Sequence, residues 1–363
     1  MRDLRAIAAL AALALALTAC STPSSTPTTA PVPSQAPLAE LDLLDDPRAY
    51  EGPSTAVLPH AQIEPLDPRP EQHLPATVVS HDNSGDREVV IDDASRVLGL
   101  DLAGSIAATI QGLGFGDSLV GRDVSTTFPG SEDLPLVTTG GHTINAEAVL
   151  ALRPSLVITD GTIGPRDVIE QLREAGVDVV FVDSQPSFAG AEELAHQVAA
   201  ALGAPDGGDR LAAGIRDSVA SKVAEIAAIA PADAADRVRV MFLYLRGGAG
   251  VYYLFGEESG ADDLIAGLSG VDVAAEIGWT GMRPMTDEAL VAADPDLVLV
   301  MTDGLASAGG VDGLLASHPA LALTTAGQHR RFVDMADGVV LGFGPRSAAV
   351  LDALARAIYA PES

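Results

Sequence analysis

The chain has 363 residues, 47% hydrophobic and 20% charged, with one cysteine and a formal net charge of -29 at pH 7. This length and composition allow two domains with sizeable α/β cores. The acidic charge excludes a nucleic-acid-binding surface, because no basic stripe is present to neutralise phosphates, and the lone cysteine excludes an intrachain disulfide.

The N-terminal stretch has the pattern of a lipoprotein signal. Arg2 and Arg5 precede an apolar run over residues 6–17 that is short for a membrane span. Leu17-Thr18-Ala19-Cys20 then matches a lipobox, in which the small residues suit a signal peptidase and the Cys20 thiol receives the lipid. We predict a signal peptide over residues 1–20 and an anchor on the outer face of the cytoplasmic membrane. An ordinary secretory signal is the alternative.

Residues 21–86 carry no apolar periodicity. They begin rich in Ser, Thr, Pro and Ala and continue proline-rich and acidic, so we predict a largely disordered tether. The histidines in this stretch, His60, His73 and His81, are more typical of solvent-facing loop residues than of ligands.

Beyond residue 87, apolar runs and helical patterns alternate. The N-terminal lobe, predicted over residues 87–205, has strands at 88–92, 155–161 and 177–182 and helices at 101–113, 146–153, 166–175 and 191–202. A long amphipathic helix over 209–230 lies in a predicted linking segment, 206–232, and Pro231 ends it. The C-terminal lobe, predicted over residues 233–363, has strands at 238–246, 297–301 and 332–334 and helices at 262–268 and 346–359.

One sequence pattern, a helix followed by a proline and a strand, occurs twice. Asn145-Ala146-Glu147, Pro154 and the strand after it are echoed by Thr286-Asp287-Glu288, Pro295 and the strand at 297–301. Alternating strands and helices indicate parallel sheets. We predict an α/β fold with two lobes, each a parallel sheet flanked by helices, which are joined by one long rigid helix and enclose a cleft.

Ligands of open parallel sheets gather beyond the carboxyl ends of the strands, and five residues occupy such positions. His142 lies in the loop before the first-lobe helix. Tyr244 and Arg246 end the opening strand of the second lobe, two residues apart and therefore on one face. Arg283 occupies in the second repeat the position of His142 in the first, and Met301 ends the echoed strand.

A histidine and a tyrosine from opposite lobes would suit ferric haem as an axial pair, because imidazole nitrogen and phenolate oxygen both bind iron. A free phenol has a pKa of about 10, so the metal charge and the Arg246 guanidinium are needed to stabilise the phenolate. Arg283 could pair with a haem propionate. The alternatives are a surface role for His142, packing and capping for Tyr244 and Arg246, and a core role for Met301.

At these residues the chain resembles the haem (hemin) substrate-binding lipoproteins of actinobacterial ABC transporters, of the HmuT type, from about residue 87 to the end. The motifs that carry the resemblance are Gly140-Gly141-His142 with Asn145-Ala146-Glu147, Tyr244-Leu245-Arg246-Gly247 running to Val251-Tyr252-Tyr253, Trp279 to Thr286, and Gly344-Pro345-Arg346. The resemblance implies a class III periplasmic-binding-protein fold in which His142 and Tyr244 are the iron ligands. It also implies that Arg246 orients the tyrosine and that Met301 is the cleft methionine.

The same resemblance implies a docking surface for a permease. In the wider family each lobe presents one acidic residue to arginines on the permease. Glu147 matches the first-lobe residue, and Asp262 or Asp263 is a looser second-lobe match, with an aspartate where a glutamate is usual.

The sequence therefore predicts an extracytoplasmic lipoprotein that captures ferric haem and delivers it to an ABC permease, and through it to the ATPase, without catalysis. A binder of a ferric siderophore or cobalamin with the same fold is the alternative, although arginines are few for an anionic chelate. More distant alternatives are a surface adhesion lipoprotein and an enzyme. Gly116-Asp117-Ser118-Leu119 spells an esterase signature, but no histidine follows an aspartate at the required offset of three.

Overall fold

The computed structural model describes residues 35–59, 61–82, 85–245 and 252–363 of the chain. The predicted signal peptide with Cys20, together with His60 and Arg246, lies outside the described residues. Pro37–Ser363 form one compact unit. In the part of the chain that the structure describes, no helix is long and apolar enough to cross a bilayer.

Strands and helices alternate through most of this unit. The strands are β1 (Ser54–Ala56), β2 (Ala76–Asp82), β3 (Gly85–Ile91), β4 (Val97–Leu100), β5 (Thr138–Thr139), β6 (Thr143–Ile144), β7 (Leu156–Thr159), β8 (Asp178–Phe181), β9 (Arg239–Leu245), β10 (Tyr252–Phe255), β11 (Val271–Asp272), β12 (Met282–Pro284), β13 (Leu297–Met301) and β14 (Phe332–Met335). The α-helices are α1 (Ser105–Gly112), α2 (Ala146–Ala151), α3 (Arg166–Glu174), α4 (Phe188–Ala201), α5 (Pro205–Ile229), α6 (Ala261–Gly267), α7 (Val273–Glu276), α8 (Asp287–Ala293), α9 (Thr302–Ser307), α10 (Gly310–Ser317), α11 (Thr325–Gln328), α12 (Asp337–Val340) and α13 (Ser347–Tyr359).

The first lobe is built on a parallel sheet of order β4-β7-β8. Every residue of β4 and β7 is buried, because helices cover both faces of the sheet. Val97 and Leu156 face a core shared with α1 and α4, whereas Leu98 and Val157 face a core shared with α3. The strand predicted at 88–92 is present as β3, but it pairs with β2 in an antiparallel hairpin outside this sheet.

The second lobe has a mixed sheet of order β1-β14-β13-β9-β10-β12, and β11 pairs with β9. The four neighbouring strands β1, β14, β13 and β9 run parallel to one another. The next strand, β10, is antiparallel to both of its neighbours, β9 and β12. The prediction of a wholly parallel sheet is therefore wrong for β10, which runs opposite to both of its neighbours. The reason is the short connection from β9 to β10, since a parallel pair needs a crossover of a dozen or more residues.

The prediction of a largely disordered tether to residue 86 is wrong from residue 37 onward. β1 forms the edge of the second-lobe sheet, with Ser54 opposite Val333. Arg48 reinforces this attachment, since its Nε lies 2.9 Å from Asp296 Oδ2. The β2–β3 hairpin packs instead on the first lobe, where Ser80 Oγ accepts a hydrogen bond from Phe181 N at 2.8 Å. The segment before residue 87 therefore contributes to both lobes.

One long helix, α5, connects the two sheets, as predicted. It has 25 residues and so spans about 37 Å at a rise of ~1.5 Å per residue. Gly208 allows close packing on α4, because a Cβ at this position would lie 3.0 Å from Ala199 Cβ. On the second-lobe side, Lys222 Nζ donates to Asp352 Oδ1 of α13 at 2.8 Å. The predicted fold class, two α/β lobes joined by a single long helix, is confirmed.

Candidate functional site

His142 lies in the turn of a short hairpin formed by β5 and β6, in which Thr139 pairs with Thr143. Gly140 and Gly141 adopt φ values of 56° and 93°, a left-handed conformation that L side chains rarely adopt. The two glycines therefore make the turn that presents the next residue. The His142 side chain is exposed, and within the described residues it makes no hydrogen bond or ion pair.

The base of this hairpin is fixed, unlike its tip. Ile144 is buried, and its N–H donates to Gly164 O at 2.6 Å. Val124 N donates to Thr138 Oγ1 at 3.1 Å, which ties the hairpin to the loop on its other side. The anchored base places the turn, and the exposed imidazole has a ring nitrogen available to act as a metal ligand.

Tyr244 lies near the carboxyl end of β9 in the second lobe. It is half-buried and pairs across the strands with Tyr253, at a ring-centroid distance of 6.3 Å. Phe255 packs against the same ring, also at 6.3 Å. These aromatic neighbours fix the direction of the phenol.

Met301 lies on the strand next to Tyr244. Val300 pairs with Leu243 in the β9–β13 ladder, so the following residues, Tyr244 and Met301, are neighbours on the same face. Met301 is 8% exposed and belongs to the core against which Tyr244 packs. The structure thus brings these two predicted site residues together.

Arg283 is not beside Tyr244. It pairs with Leu254, whereas Tyr253 pairs with Pro284, so Arg283 lies on the sheet face opposite to that of both tyrosines. Its guanidinium stacks over the Trp279 ring at 4.7 Å from the centroid. The predicted equivalence of Arg283 and His142 in the two repeats therefore does not extend to a shared orientation.

Comparison with known proteins agrees with this architecture. The periplasmic binding protein family matches residues 102–338. The chain belongs to the periplasmic binding protein family. A crystal structure of the heme binding protein HmuT is 41% identical, covers 87% of this chain and 99% of its own, and has a TM-score of 0.79. Solved structures of HmuT include three alanine variants, of one arginine, one tyrosine and one histidine.

Two further relatives of this periplasmic binding protein are more distant. The periplasmic heme-binding protein RhuT from Roseiflexus sp. RS-1, in its apo form, is 36% identical, covers 75% of this chain and 100% of its own, and has a TM-score of 0.66. The uncharacterized ABC transporter substrate-binding lipoprotein YvrC of Bacillus subtilis (strain 168) is 26% identical over 295 residues, which are 81% of this chain and 89% of YvrC.

The acidic residues predicted to dock a permease differ in their surroundings. Glu147 is exposed in the first turn of α2, whose N-cap residue, Asn145, accepts a hydrogen bond from Ala148 N at 3.1 Å. Asp263 is half-buried, and its Oδ2 accepts a hydrogen bond from Phe188 N of the first lobe at 2.7 Å. The Asp263 carboxylate of this periplasmic binding protein thus makes a hydrogen bond between the two lobes.

Glu288 is an acidic docking candidate that the sequence analysis did not select. It is exposed in the first turn of α8, where Thr286 is the N-cap residue, and so occupies the position in α8 that Glu147 occupies in α2. The repeat itself contained this signal, since it aligns Glu147 with Glu288. The two glutamates are therefore equivalent surface carboxylates of the periplasmic-binding-protein fold, one on each lobe.

Proposed function

We propose that this periplasmic binding protein captures ferric haem in the cleft between its lobes, delivers it to an ABC permease and catalyses no reaction. The observation that carries the proposal is the match to HmuT over 87% of the chain. A histidine on an anchored first-lobe turn and a tyrosine at a second-lobe strand end supply the ligand chemistry at the carboxyl edges of the two sheets.

In this proposal His142 and Tyr244 bind the iron from opposite lobes. The exposed imidazole has no competing partner among the described residues, and the phenol is held by its aromatic neighbours. Phenolate is a hard anionic ligand and favours ferric iron. The tyrosine and arginine replaced in the HmuT variants are two positions apart, as are Tyr244 and Arg246, which supports a role for Arg246 in stabilising the phenolate.

Met301 and Arg283 take different parts in the proposal. Met301 supports the tyrosine side of the site as a packing neighbour of Tyr244. Arg283 lies on the sheet face opposite to that of Tyr244, and its guanidinium stacks on the Trp279 ring, a contact that contributes roughly 0.5–1 kcal/mol at an exposed site. We therefore assign Arg283 a secondary role at most.

For delivery, we propose that Glu147 of the first lobe and Glu288 of the second lobe dock on the permease. Glu288 thus replaces Asp262 or Asp263, the second-lobe residues that the sequence predicted. The two glutamates occupy equivalent exposed positions on the two lobes, whereas Asp263 is engaged by Phe188 N. The family assignment places the protein outside the cytoplasm. We further propose that lipidation of Cys20 anchors it to the outer face of the cytoplasmic membrane, beside the permease and its ATPase.

A haemin titration of the processed chain, residues 21–363, tests the function. We expect a Soret band that saturates at one haemin per chain, and its absence at micromolar haemin overturns the proposal. His142→Ala and Tyr244→Phe should each shift the band and weaken retention. His196→Ala is a matched control, because His196 is a partly exposed histidine on α4 paired with Asp209, and it should leave the spectrum unchanged. Binding of cobalamin or a ferric siderophore in place of haemin favours the alternative.

A further inference from the structure

Two arginines of the described chain are buried, and they differ in how their guanidinium groups are satisfied. Arg331 donates from Nη1 to Ser54 Oγ at 2.9 Å and from Nη2 to Ala357 O and Ile358 O at 2.9 and 3.0 Å. Its guanidinium also lies 4.7 Å from the centroid of the Tyr50 ring. Arg331 is thus a structural arginine that attaches the β1 segment to the second lobe.

Arg346 has no comparable set of partners. It is 4% exposed, and its one hydrogen bond within the described residues is long, from Nη2 to Gly338 O at 3.4 Å. Its Nη1 is buried and has no acceptor there. Burial lowers the pKa of Arg346, and no carboxylate of the described chain forms an ion pair with it. A buried guanidinium that has neither a counter-charge nor a full set of acceptors is costly, and an anion from outside the chain would supply both.

The backbone around Arg346 adds a second positive feature. Arg346 is the N-cap residue of α13, a helix of 13 residues, and no side chain caps this terminus. Free N–H groups and the helix dipole both favour an anion at such an end. Gly344 leaves room beside it, because a Cβ built there would meet no atom closer than Thr109 Oγ1 at 3.9 Å.

This helix end lies where the two lobes meet. A Cβ at Gly338 would lie 3.1 Å from Ser125 O, and a Cβ at Gly342 would lie 3.3 Å from Ala103 O, and both oxygens belong to first-lobe loops. The Ala103 loop follows the carboxyl end of β4, and Gly338 follows the carboxyl end of β14. The carboxyl edges of the two sheets therefore converge on Arg346.

We propose that Arg346 and the N-terminus of α13 form an anion site between the lobes that takes a carboxylate group. A planar guanidinium matches a carboxylate bidentately, which a lysine could not do. Building on the proposed haem function, the carboxylate is a haem propionate that enters the site from the cleft. A free small anion, such as acetate or phosphate, has the same chemistry and is the other source to be tested.

The decisive measurement compares haemin with its dimethyl ester, which lacks free carboxylates. Wild type should bind haemin roughly tenfold or more tightly than the ester, as expected for a charge-assisted hydrogen bond. Arg346→Gln should abolish this preference by weakening haemin binding alone. Arg216→Gln should keep it, because Arg216 is an exposed arginine of α5 that pairs with Glu192. A preference that survives in Arg346→Gln, or an equal loss for both ligands, overturns the proposal.

Two further arms separate the remaining outcomes. The first arm measures thermal stability in haemin-free and chloride-free buffer. If acetate or phosphate stabilises wild type but not Arg346→Gln, the anion site is supported, with a free ion as its ligand. This arm decides the anion site even if the chain binds no haemin, a result that overturns only the haem function. If Arg346→Gln does not fold, Arg346→Lys replaces it, because lysine keeps the positive charge but cannot donate two parallel hydrogen bonds to one carboxylate. If Arg346→Lys prefers haemin over the ester as strongly as wild type does, bidentate binding is contradicted.

Discussion

Tyr244 and Tyr253 face each other across the antiparallel β9–β10 pair, with ring centroids 6.3 Å apart and ring planes at 62°. Edge-to-face aromatic pairs of this kind contribute roughly 0.5–1.5 kcal/mol beyond the area that they bury. Tyr253 therefore orients the ring of the proposed iron ligand through packing.

The first prediction separates these two tyrosines. Tyr253→Phe keeps the ring and should leave the haemin Kd and the Soret maximum nearly unchanged, whereas Tyr244→Phe removes the phenolate and should shift the maximum. Tyr253→Ala should weaken binding by roughly fivefold, the equivalent of about 1 kcal/mol of lost ring packing. Parallel Soret titrations of the three variants provide the test. A spectral shift in Tyr253→Phe as large as that in Tyr244→Phe would mean that the ligand is misassigned.

The second prediction concerns the turn that presents His142. Gly141 has a φ of 93°, so Gly141→Ala should lower the free energy of unfolding by roughly 1–2 kcal/mol and weaken haemin retention by displacing the imidazole. Gly214→Ala is the matched control, since Gly214 lies inside α5 and a Cβ there meets nothing within 4 Å. This control should stabilise the chain by roughly 0.5–1 kcal/mol and leave haemin binding unchanged. Denaturant unfolding and haemin titration measure both effects, and equal haemin affinities for the two variants contradict the placement of His142.

The third prediction concerns docking. Glu147→Lys and Glu288→Lys should each abolish stimulation of the permease ATPase in proteoliposomes, because each places a cation opposite the cationic docking surface that we propose. Haemin affinity should not change, since both glutamates are exposed in the first turns of surface helices. Asp262→Lys serves as the comparison and should retain stimulation. Loss of stimulation in Asp262→Lys alone would return the second-lobe contact to the residue that the sequence favoured.

Regular elements with continuous apolar runs were predictable from the sequence, and short or interrupted ones were not. β9, β13 and α5 follow from their apolar patterns and from the proline after α5. β4 was missed because Gly99 interrupts its apolar run; in the structure a Cβ at Gly99 would lie 2.8 Å from Ala107 N, so the glycine permits close packing of α1. β1 has one buried residue, Ala56, and depends on β14 for its register, which no local pattern reveals.

The candidate site divides along similar lines. The position of Tyr244 at a strand end and that of His142 in the loop before a helix follow from the alternation of strands and helices, but the β5–β6 hairpin around His142 does not, and the roles of both residues as iron ligands remain predictions. The orientation of Arg283 could not be foreseen, because it depends on β12 pairing antiparallel with β10 and on the Trp279 ring beside it. Arg346 was visible in the sequence as part of a motif, but its burial without a partner is a property of tertiary packing alone.

The last prediction concerns the acid sensitivity of the contact between α5 and α13. Burial alone would raise the pKa of Asp352, but hydrogen bonds from Arg356 Nε at 2.6 Å and Lys222 Nζ at 2.8 Å outweigh it and hold the pKa below its usual value. A carboxylate with a lowered pKa in the folded state stabilises the fold above its unfolded pKa of about 4, and this stabilisation disappears as the pH falls through the folded pKa.

Asp352→Asn should therefore lower the free energy of unfolding by about 2 kcal/mol at pH 7, because two charge-assisted hydrogen bonds are lost. The difference from wild type should narrow as the pH falls below about 4, because the unfolded chain takes up the Asp352 proton there and the folded protein follows at its lower pKa. Glu225→Gln is the control, since Glu225 also pairs with Lys222 but is 48% exposed, and its loss should cost roughly 0–1 kcal/mol. Urea unfolding of the three proteins between pH 3 and pH 7 gives these values. A constant difference across that range would show that Asp352 acts through packing and not through its charge.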